Sequence, residues 1–486
     1  MSQNHSQASL SSNYTTICFL SILIIGSFLR IMALGDIPQG FSCDEASFGY
    51  ESFSILETLR DRYGKFLPPF LQLFGNDYPA SLYVLATVPF IKVLGMTEFS
   101  TRIVAAITGS LTIFAVYFLT EELFSKRVSI FAALLLAINP WHIHYSRIAF
   151  NLVFLPLFFC MALLFLMKSF RKPNYIAISS LFFGISLYTY SSARVFISLF
   201  VLGLILMFRK HLWNHKKQTF IAALLFLLIF IPLFRFWISP EGMARARGTG
   251  LVSHPLTIAL NYFSHFSPNF LFFQGSSIFN ENPARIGELY FFELITVALG
   301  IFKLISAEKK VRSILLLWLC LYPLPAAFVA LASPQRSIVG APLFAIISAY
   351  GLTQLIDLFR LKQKAIILGT TLVLVASLLL FSYRYFINPS SDAAKLWNYG
   401  IKDAIKFASK SSYAGFVMSS DTNSSCFAIY DFVAFIPFYT YFPPQEYQRS
   451  PIPPWIRGSR DKVYSLGKYY LMSIGSIHFW QKDSNS

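Results

Sequence analysis

Two acidic residues, Asp44 and Glu45, stand in the string Gly40-Phe41-Ser42-Cys43-Asp44-Glu45-Ala46, a few residues after the first long apolar run. A carboxylate held there, close to a membrane surface, can act as a general base when its pKa and geometry suit the proton it takes. The same pair also fits a structural role. Asp is a favoured helix N-cap, and Glu in a first turn suits the helix macrodipole. Asp77, in Phe74-Gly75-Asn76-Asp77-Tyr78-Pro79, is a third candidate carboxylate. Asn-Asp before an aromatic residue and Pro is equally a common turn composition.

Arginines form the second set. Arg102, Arg147, Arg194 and Arg336 fall at the outer ends of predicted spans, and Arg245, Arg247 and Arg285 lie in a long polar loop. Arginine on the outer side runs against the positive-inside trend. Its planar fork binds phosphate oxygens bidentately, so several together point to an anionic ligand at the interface. Snorkelling to lipid headgroups is the alternative for any one of them. Histidines are few. His142 and His144 form an HxH string that would need further ligands to hold a metal, and its Trp-containing setting also suits an interfacial belt. His265 sits among aromatic residues, where a structural histidine is the default. The sequence has no phosphate-cradling Gly-rich loop, no Ser-His-Asp order and no dinucleotide fingerprint.

These residues need a scaffold, and the composition supplies one. Of 486 residues, 55% are hydrophobic and only 13% charged, against about 25% charged in soluble domains. Lys and Arg number 40 against 23 acids, a formal charge of +17. The basic residues cluster in short runs between apolar segments, which is a membrane pattern and excludes nucleic-acid binding as the reason for the charge. A span needs about 20 apolar residues. Candidates fall near 15–34, 102–120, 128–141, 150–167, 175–190, 194–208, 218–238, 288–305, 312–332, 337–357 and 364–386, about eleven in all. The residues before the first run carry no basic n-region, so that run is expected to stay as a helix. Basic connections at 125–127, 168–172, 209–217, 303–312 and 360–364 alternate with less basic ones and define the cytoplasmic side. The segments 141–150, 188–194, 239–287, 333–336 and everything after about 387 are then outside.

Ser81 to Leu94 is apolar but short, and Pro89 interrupts it. Runs of about 10–14 residues are more often re-entrant or interfacial than spanning. Read so, it leaves the 36–100 loop outside with the other polar loops. Glu45 to Arg60 reads as an amphipathic, surface-lying helix with Phe48, Ile55 and Leu59 on its apolar stripe. The last hundred residues are less apolar. Ser391 to Ala408 reads as a helix, and Gly415 to Ser419 and Phe427 to Tyr430 as strands. The expected division is a membrane domain over 1–386 and a small extracytoplasmic α/β appendage over 387–486. Of five cysteines, Cys18, Cys160 and Cys320 lie in apolar runs, while Cys43 and Cys426 both fall outside, where a disulfide between them would be allowed.

The order of these features resembles the GT-C glycosyltransferases, and most of all the bacterial relatives of protein O-mannosyltransferases and aminoarabinose transferases. The matching segments are Asp44-Glu45-Ala46, Gly49-Tyr50, Arg60-Asp61 with Tyr63-Gly64, Phe74 to Pro79, and Glu98-Phe99 with Arg102. Further matches are Asn139-Pro140-Trp141-His142 with Ser146-Arg147, Tyr188-Thr189-Tyr190 with Ala193-Arg194-Val195, and His265 to Phe272. The likeness covers roughly residues 15–360. Where the O-mannosyl branch carries His-Pro-Pro, this chain has Tyr78-Pro79-Ala80.

The resemblance implies an all-α polytopic fold with interfacial helices in the first outer loop. It also implies inverting transfer of a sugar from a polyprenyl-phosphate donor to an acceptor hydroxyl on a glycan, lipid or protein. Asp44 becomes the base, with Glu45 and Asp77 beside it, and Arg102, Arg147, Arg194 and Arg336 the phosphate contacts. Tyr78, His142, Tyr190, Arg245, His265 and Arg285 become the expected substrate contacts. It implies no cofactor firmly; members of the wider class differ in their need for a divalent metal, and the sequence supports no site for one. The expected location is the cytoplasmic (inner) membrane, with the site on its extracytoplasmic side. Two other classes fit a polytopic chain with outer loops. A transporter or flippase would place ionisable residues mid-membrane and often repeat its halves, and neither feature stands out here. A polysaccharide ligase or polymerase would not require an acidic pair directly after the first span.

Overall fold

The computed structural model describes residues 2–73, 77–243, 251–278, 280–329, 331–389, 394–395, 397–413, 415–419, 427–449, 451–452 and 464–472. Its first ten helices are α1 (Ser2–Ile31), α2 (Cys43–Thr58), α3 (Leu82–Leu94), α4 (Glu98–Leu123), α5 (Lys126–Ile138), α6 (Pro140–Tyr145), α7 (Phe154–Ser169), α8 (Tyr175–Ser186), α9 (Ser191–Asn214) and α10 (Lys216–Trp237). Later helices are named by their residues.

Eight helices among the described residues are long and apolar enough to cross a bilayer: Tyr14–Ile31, Glu98–Leu123, Asn151–Ser169, Ser191–Asn214, Lys216–Trp237, Lys309–Ala327, Gly340–Leu358 and Gln363–Ile387. The chain is a multi-pass integral membrane protein. The other three expected spans form α5, α8 and the helix Glu293–Lys303, of 13, 12 and 11 residues. At 1.5 Å per residue each is about 20 Å or less, short of the ~30 Å hydrocarbon thickness. Asn139-Pro140 ends α5, because Pro disfavours helical backbone in the residue before it. Asn139 takes extended backbone there and caps α6, its side chain accepting from the His142 N–H. α3 is also short, at 13 residues with Pro89 inside.

The chain divides into two compact units. The first comprises Met1–Met32, Ala105–Ser239 and Thr249–Ser390, and the second Ala33–Val104, Pro240–Gly248 and Ser391–Ser486. In the first unit the phenylalanine-rich runs form interlocking aromatic contacts. The Phe159 ring meets Phe183, Phe196, Phe200 and Trp318 edge-on, at centroid distances of 4.6–6.1 Å. Glu293–Lys303 and Gly340–Leu358 approach so closely that a Cβ at Gly351 would sit 1.8 Å from the Thr296 carbonyl oxygen. Small residues allow this approach, which is a main source of helix association in lipid.

In the second unit α2 packs against α3 and the helix Phe427–Thr440. Its burial runs nearly all round, from Glu45 through Ser52 and on to Ser54 and Ile55. The expected surface-lying stripe is therefore replaced by a core helix, and Leu59 ends it in left-handed backbone at φ 56°. Three strands, β1 (Phe416–Ser419), β2 (Tyr464–Leu466) and β3 (Tyr469–Met472), lie in the order β1-β3-β2. β1 pairs parallel to β3, and β2 antiparallel.

The expected strand at Phe427–Tyr430 is instead the start of a 14-residue helix. The apolar run continues to Thr440, a length typical of a helix and beyond that of most strands. The expected helix over 391–408 is interrupted: Ala394 and Lys395 are helical, and a turn at Trp397–Gly400 precedes the helix Ile401–Lys410, while 391–393 and 396 lie outside the described residues. The chain changes unit at Ser390. The C-terminal residues, however, share a core with the first outer loop. Phe432, Phe435, Phe438, Tyr447 and Leu471 pack with Phe41, Ala46 and Tyr50. The buried Glu51–Arg62 ion pair reinforces this union, since Arg62 also donates to the carbonyls of Ser47 and Val433. Cys426 lies outside the described residues, and with it the expected disulfide.

Candidate active site

The acidic pair opens α2, and its two members have different tasks. Ser42 is the N-cap, with Oγ accepting from the Glu45 N–H at 3.2 Å. The Glu45 carboxylate accepts in turn from the Ser42 N–H at 3.0 Å, closing a capping box. Ser42, and not Asp44, is thus the cap. Asp44 is half-buried in the first turn.

Glu45 is fully engaged. Arg102 donates to its Oε1 from Nε at 2.8 Å and to its Oε2 from Nη2 at 3.1 Å. The other three Arg102 N–H groups reach the carbonyls of Leu34 (3.2 Å), Pro38 (3.2 Å) and Gly40 (2.8 Å). A guanidinium has five N–H donors, so none remains for a phosphate. The expectation that Arg102 binds the donor is corrected on this ground, and Glu45 is its anchor rather than a base. The Arg102 guanidinium also lies over Phe41 and Trp397, at 5.2 and 5.7 Å. Gly40 must be glycine: its φ is +90°, and a Cβ would stand 2.2 Å from the Trp397 carbonyl oxygen.

Asp77 is half-buried at the end of a loop whose arms are tied by Leu71 N–H to Pro79 O and Leu73 N–H to Asp77 O, both 2.9 Å. Tyr78 beside it is buried, and burial together with Glu241 raises its phenol pKa. Arg245 and Arg247 lie outside the described residues.

The remaining candidates belong to the first unit. Arg147 is wholly buried and donates to the carbonyls of Leu29 (2.8 Å) and Met32 (2.7 Å) at the end of α1, with Phe386 4.8 Å from its guanidinium. It pins a helix end, not a ligand at an exposed mouth, and the expected phosphate role is corrected. His142 has a buried Nε2 with no partner among the described residues. It is buried, and its Nδ1 accepts from Arg30 at 2.8 Å. Arg30 itself donates to the carbonyls of Gly26, Leu136 and Ala137, tying α1 to the end of α5. Burial and the neighbouring Arg30 hold the His142 imidazole neutral.

His265 is structural, and its expected substrate contact is corrected. Its Nδ1 donates to Asn261 O at 2.8 Å and its Nε2 accepts from the Ser333 N–H at 3.2 Å. Burial lowers its pKa to about 4. What it positions is the loop 333–337. Pro334 O accepts from Trp141 Nε1 at 2.9 Å, and Gln335 Nε2 donates to the Tyr190 hydroxyl at 2.9 Å. Ser333 Oγ donates to Glu281 Oε1 at 3.3 Å, while Ser276 Oγ donates to Glu281 Oε2 at 3.1 Å. Burial lifts the Glu281 carboxyl pKa, and the Arg336 guanidinium opposes that shift. Arg336 is half-buried, with a long contact of 3.4 Å to Ser333 Oγ. Arg194 is half-buried in the first turn of α9, which Tyr190 precedes. Arg285 is exposed, at φ 49°.

Beside this loop lies a cleft lined by Trp141, His144, Glu281, Glu288, Phe381 and Tyr385, among others. His144 donates from Nε2 to Asn280 O at 3.0 Å, and its Nδ1 accepts from the Tyr385 hydroxyl at 3.1 Å. Burial raises the Glu288 pKa well above the usual carboxylate range. Tyr145, Asn280, Glu281, Glu288, Gln335 and Tyr385 were not legible as site residues in sequence. Arg30 carried a usable signal, since a cation inside an apolar span is costly and needs a partner. Among the described residues no group of three or more His, Cys, Asp or Glu is placed to hold a metal ion.

Comparison with known proteins agrees with this architecture. The sequence model of the dolichyl-phosphate-mannose-protein mannosyltransferase family matches residues 79–236. No curated protein matches the sequence. The structure is similar to that of ArnT from Cupriavidus metallidurans bound to undecaprenyl phosphate, with a TM-score of 0.55 and 14% identity, covering 88% of this chain and 85% of that one. It is also similar to the Archaeoglobus fulgidus oligosaccharyltransferase in its apo form, with a TM-score of 0.54 and 15% identity over 92% of this chain. This chain spans 61% of the length of that protein. The same archaeal enzyme in complex with an inhibitory peptide and a dolichol-phosphate gives a TM-score of 0.50 at 15% identity, with 92% and 61% of the two chains covered. The chain has the fold of the GT-C membrane glycosyltransferases.

Proposed function

We propose that this protein transfers a sugar from a polyprenyl-phosphate donor to an acceptor hydroxyl, with inversion, at the extracytoplasmic face of the cytoplasmic membrane. The reading rests on the division of labour in the acidic pair. Glu45 is engaged by Arg102 and by the helix cap, and Asp44, half-buried in the first turn of α2, is the carboxylate we assign to the chemistry. Its carboxylate takes the acceptor proton as the acceptor oxygen attacks the anomeric carbon, and the lipid phosphate leaves from the opposite face. Asp77 is the second carboxylate, orienting the acceptor. Arg194 stabilises the departing phosphate, a role that needs a cation where negative charge develops. Tyr78, Tyr190 and Arg285 complete the substrate contacts. The solved structures of similar fold, which hold undecaprenyl phosphate and dolichol-phosphate in their own sites, support a polyprenyl-phosphate donor here.

The test uses the purified full chain in lipid vesicles, with undecaprenyl-phosphate-mannose and undecaprenyl-phosphate-glucose as donors. Membranes lacking the chain supply the acceptor. Release of undecaprenyl phosphate by the wild type, reduced by about 10²-fold or more in Asp44→Asn, supports the assignment. Undiminished release by Asp44→Asn removes Asp44 as the base.

A further inference from the structure

Tyr145 ends α6 with its hydroxyl buried and without a hydrogen-bond partner among the described residues. The side-chain oxygen of Asn280 is in the same condition. Buried polar groups are paired in the great majority of cases, and an exception calls for a bound water or ligand. His144 links the two residues that bear them. The His144 ring stacks edge-on against Tyr145, with centroids 5.0 Å apart, while its Nε2 donates to the Asn280 carbonyl at 3.0 Å. The Tyr145 hydroxyl is also within electrostatic reach of Glu281, Tyr190 and Arg336.

The surrounding groups are fixed rather than adaptable. Each Glu281 oxygen accepts one serine hydroxyl, which leaves lone pairs on both. The loop bearing Arg336 is held by His265, Trp141 and Tyr190. Arg336 has one long contact, to Ser333 Oγ, so most of its five donors remain. Its charge faces Glu281.

We propose that Tyr145, Asn280, Glu281 and Arg336 bind the hydroxyl groups of the donor's sugar ring. This rests on the function proposed above and names the part of the molecule that reads the sugar. Two observations favour a neutral polyhydroxylated ring over a phosphate. The cation already faces a carboxylate, so no net positive field is left to select an anion. The vacant acceptors, Asn280 Oδ1 and the Glu281 lone pairs, need hydroxyl hydrogens, which a phosphate dianion lacks. Arg336, expected from sequence to bind the phosphate, is thereby assigned to the sugar.

The experiment measures binding of undecaprenyl-phosphate-mannose, undecaprenyl-phosphate-glucose and sugar-free undecaprenyl phosphate to the purified full chain. Wild type, Tyr145→Phe and Asn280→Ala are compared. At least one sugar-bearing lipid should bind the wild type more tightly than the sugar-free lipid. Both variants should weaken that lipid by about 5- to 20-fold, the loss of one or two hydrogen bonds, with sugar-free binding unchanged. Tyr145→Phe should melt at or above the wild-type temperature, because it removes a buried hydroxyl that has no protein partner, so a folding defect is not confused with lost recognition. Equal weakening of sugar-bearing and sugar-free lipid would make this a phosphate site and overturn the proposal. Unchanged affinities in both variants, or a wild type indifferent to the sugar, would also overturn it. A wild type that binds no polyprenyl phosphate at all refutes the functional reading itself, and the proposal with it.

Discussion

Replacing Arg102 by Ala should unfold the acidic loop's support without touching the donor. The side chain is fully buried, and its five N–H groups serve Glu45 and the carbonyls of Leu34, Pro38 and Gly40. Removing one partner of a buried ion pair costs about 3–5 kcal/mol, because the other charge stays behind uncompensated. The three carbonyls also lose their donor, so the upper end of that range applies. About 1 kcal/mol shifts the melting temperature of a domain of this size by 2–4 °C, so the fall should be on the order of 10 °C. Intrinsic tryptophan fluorescence is a direct assay, since Trp397 lies 5.7 Å from the guanidinium. The double variant Glu45→Gln with Arg102→Met should lose less than the sum of its parts, because it removes both charges together. Affinity for undecaprenyl phosphate, measured well below the melting temperature, should change by less than about threefold, under 1 kcal/mol. An Arg102→Ala protein that melts like the wild type but loses that lipid would refute the reasoning, and would return Arg102 to the phosphate.

Three further outcomes follow from the same structure. Ser42→Ala should cost about 1 kcal/mol in thermal unfolding, because Ser42 is the cap of α2, and an unchanged melting curve would remove it as the cap. His265 is held at a pKa of about 4, below its unfolded value of about 6.5. Between those values the unfolded chain binds a proton that the folded one does not, so its contribution is complete above pH ~6.5 and fades as pH falls towards ~4. The stability gap between wild type and His265→Gln should therefore narrow over that window in pH-dependent melting, and a constant gap would contradict the buried neutral imidazole. Gly351→Ala should lower stability by about 1–3 kcal/mol through overpacking, since its Cβ would meet the Thr296 carbonyl; an unchanged melting curve would mean the two helices stand further apart.

The spans were legible because their signal is local. Twenty consecutive apolar residues with basic ends need no knowledge of the rest of the chain. The same rule was blind at Asn139-Pro140, because a run of apolar letters does not reveal that a proline has divided it between α5 and α6. The Phe427–Tyr430 strand failed for a related reason. Four apolar residues are ambiguous between strand and helix, and only the length of the run beyond them decides.

The site residues were legible by type but not by task, and the arginines show why. Sequence places a guanidinium near the outer end of a span, yet it cannot show which acceptors surround it there. Arg102 and Arg147 find main-chain carbonyls at the end of α1 and in the loop after it, groups present at every position and so invisible in any motif. Arg336 instead meets a loop held by His265, Trp141 and Tyr190 from distant parts of the chain. An arginine in such a chain is therefore a candidate ligand only after its five donors have been counted. By that count Arg102 belongs to the scaffold that supports Asp44, and Arg336 keeps donors for a substrate.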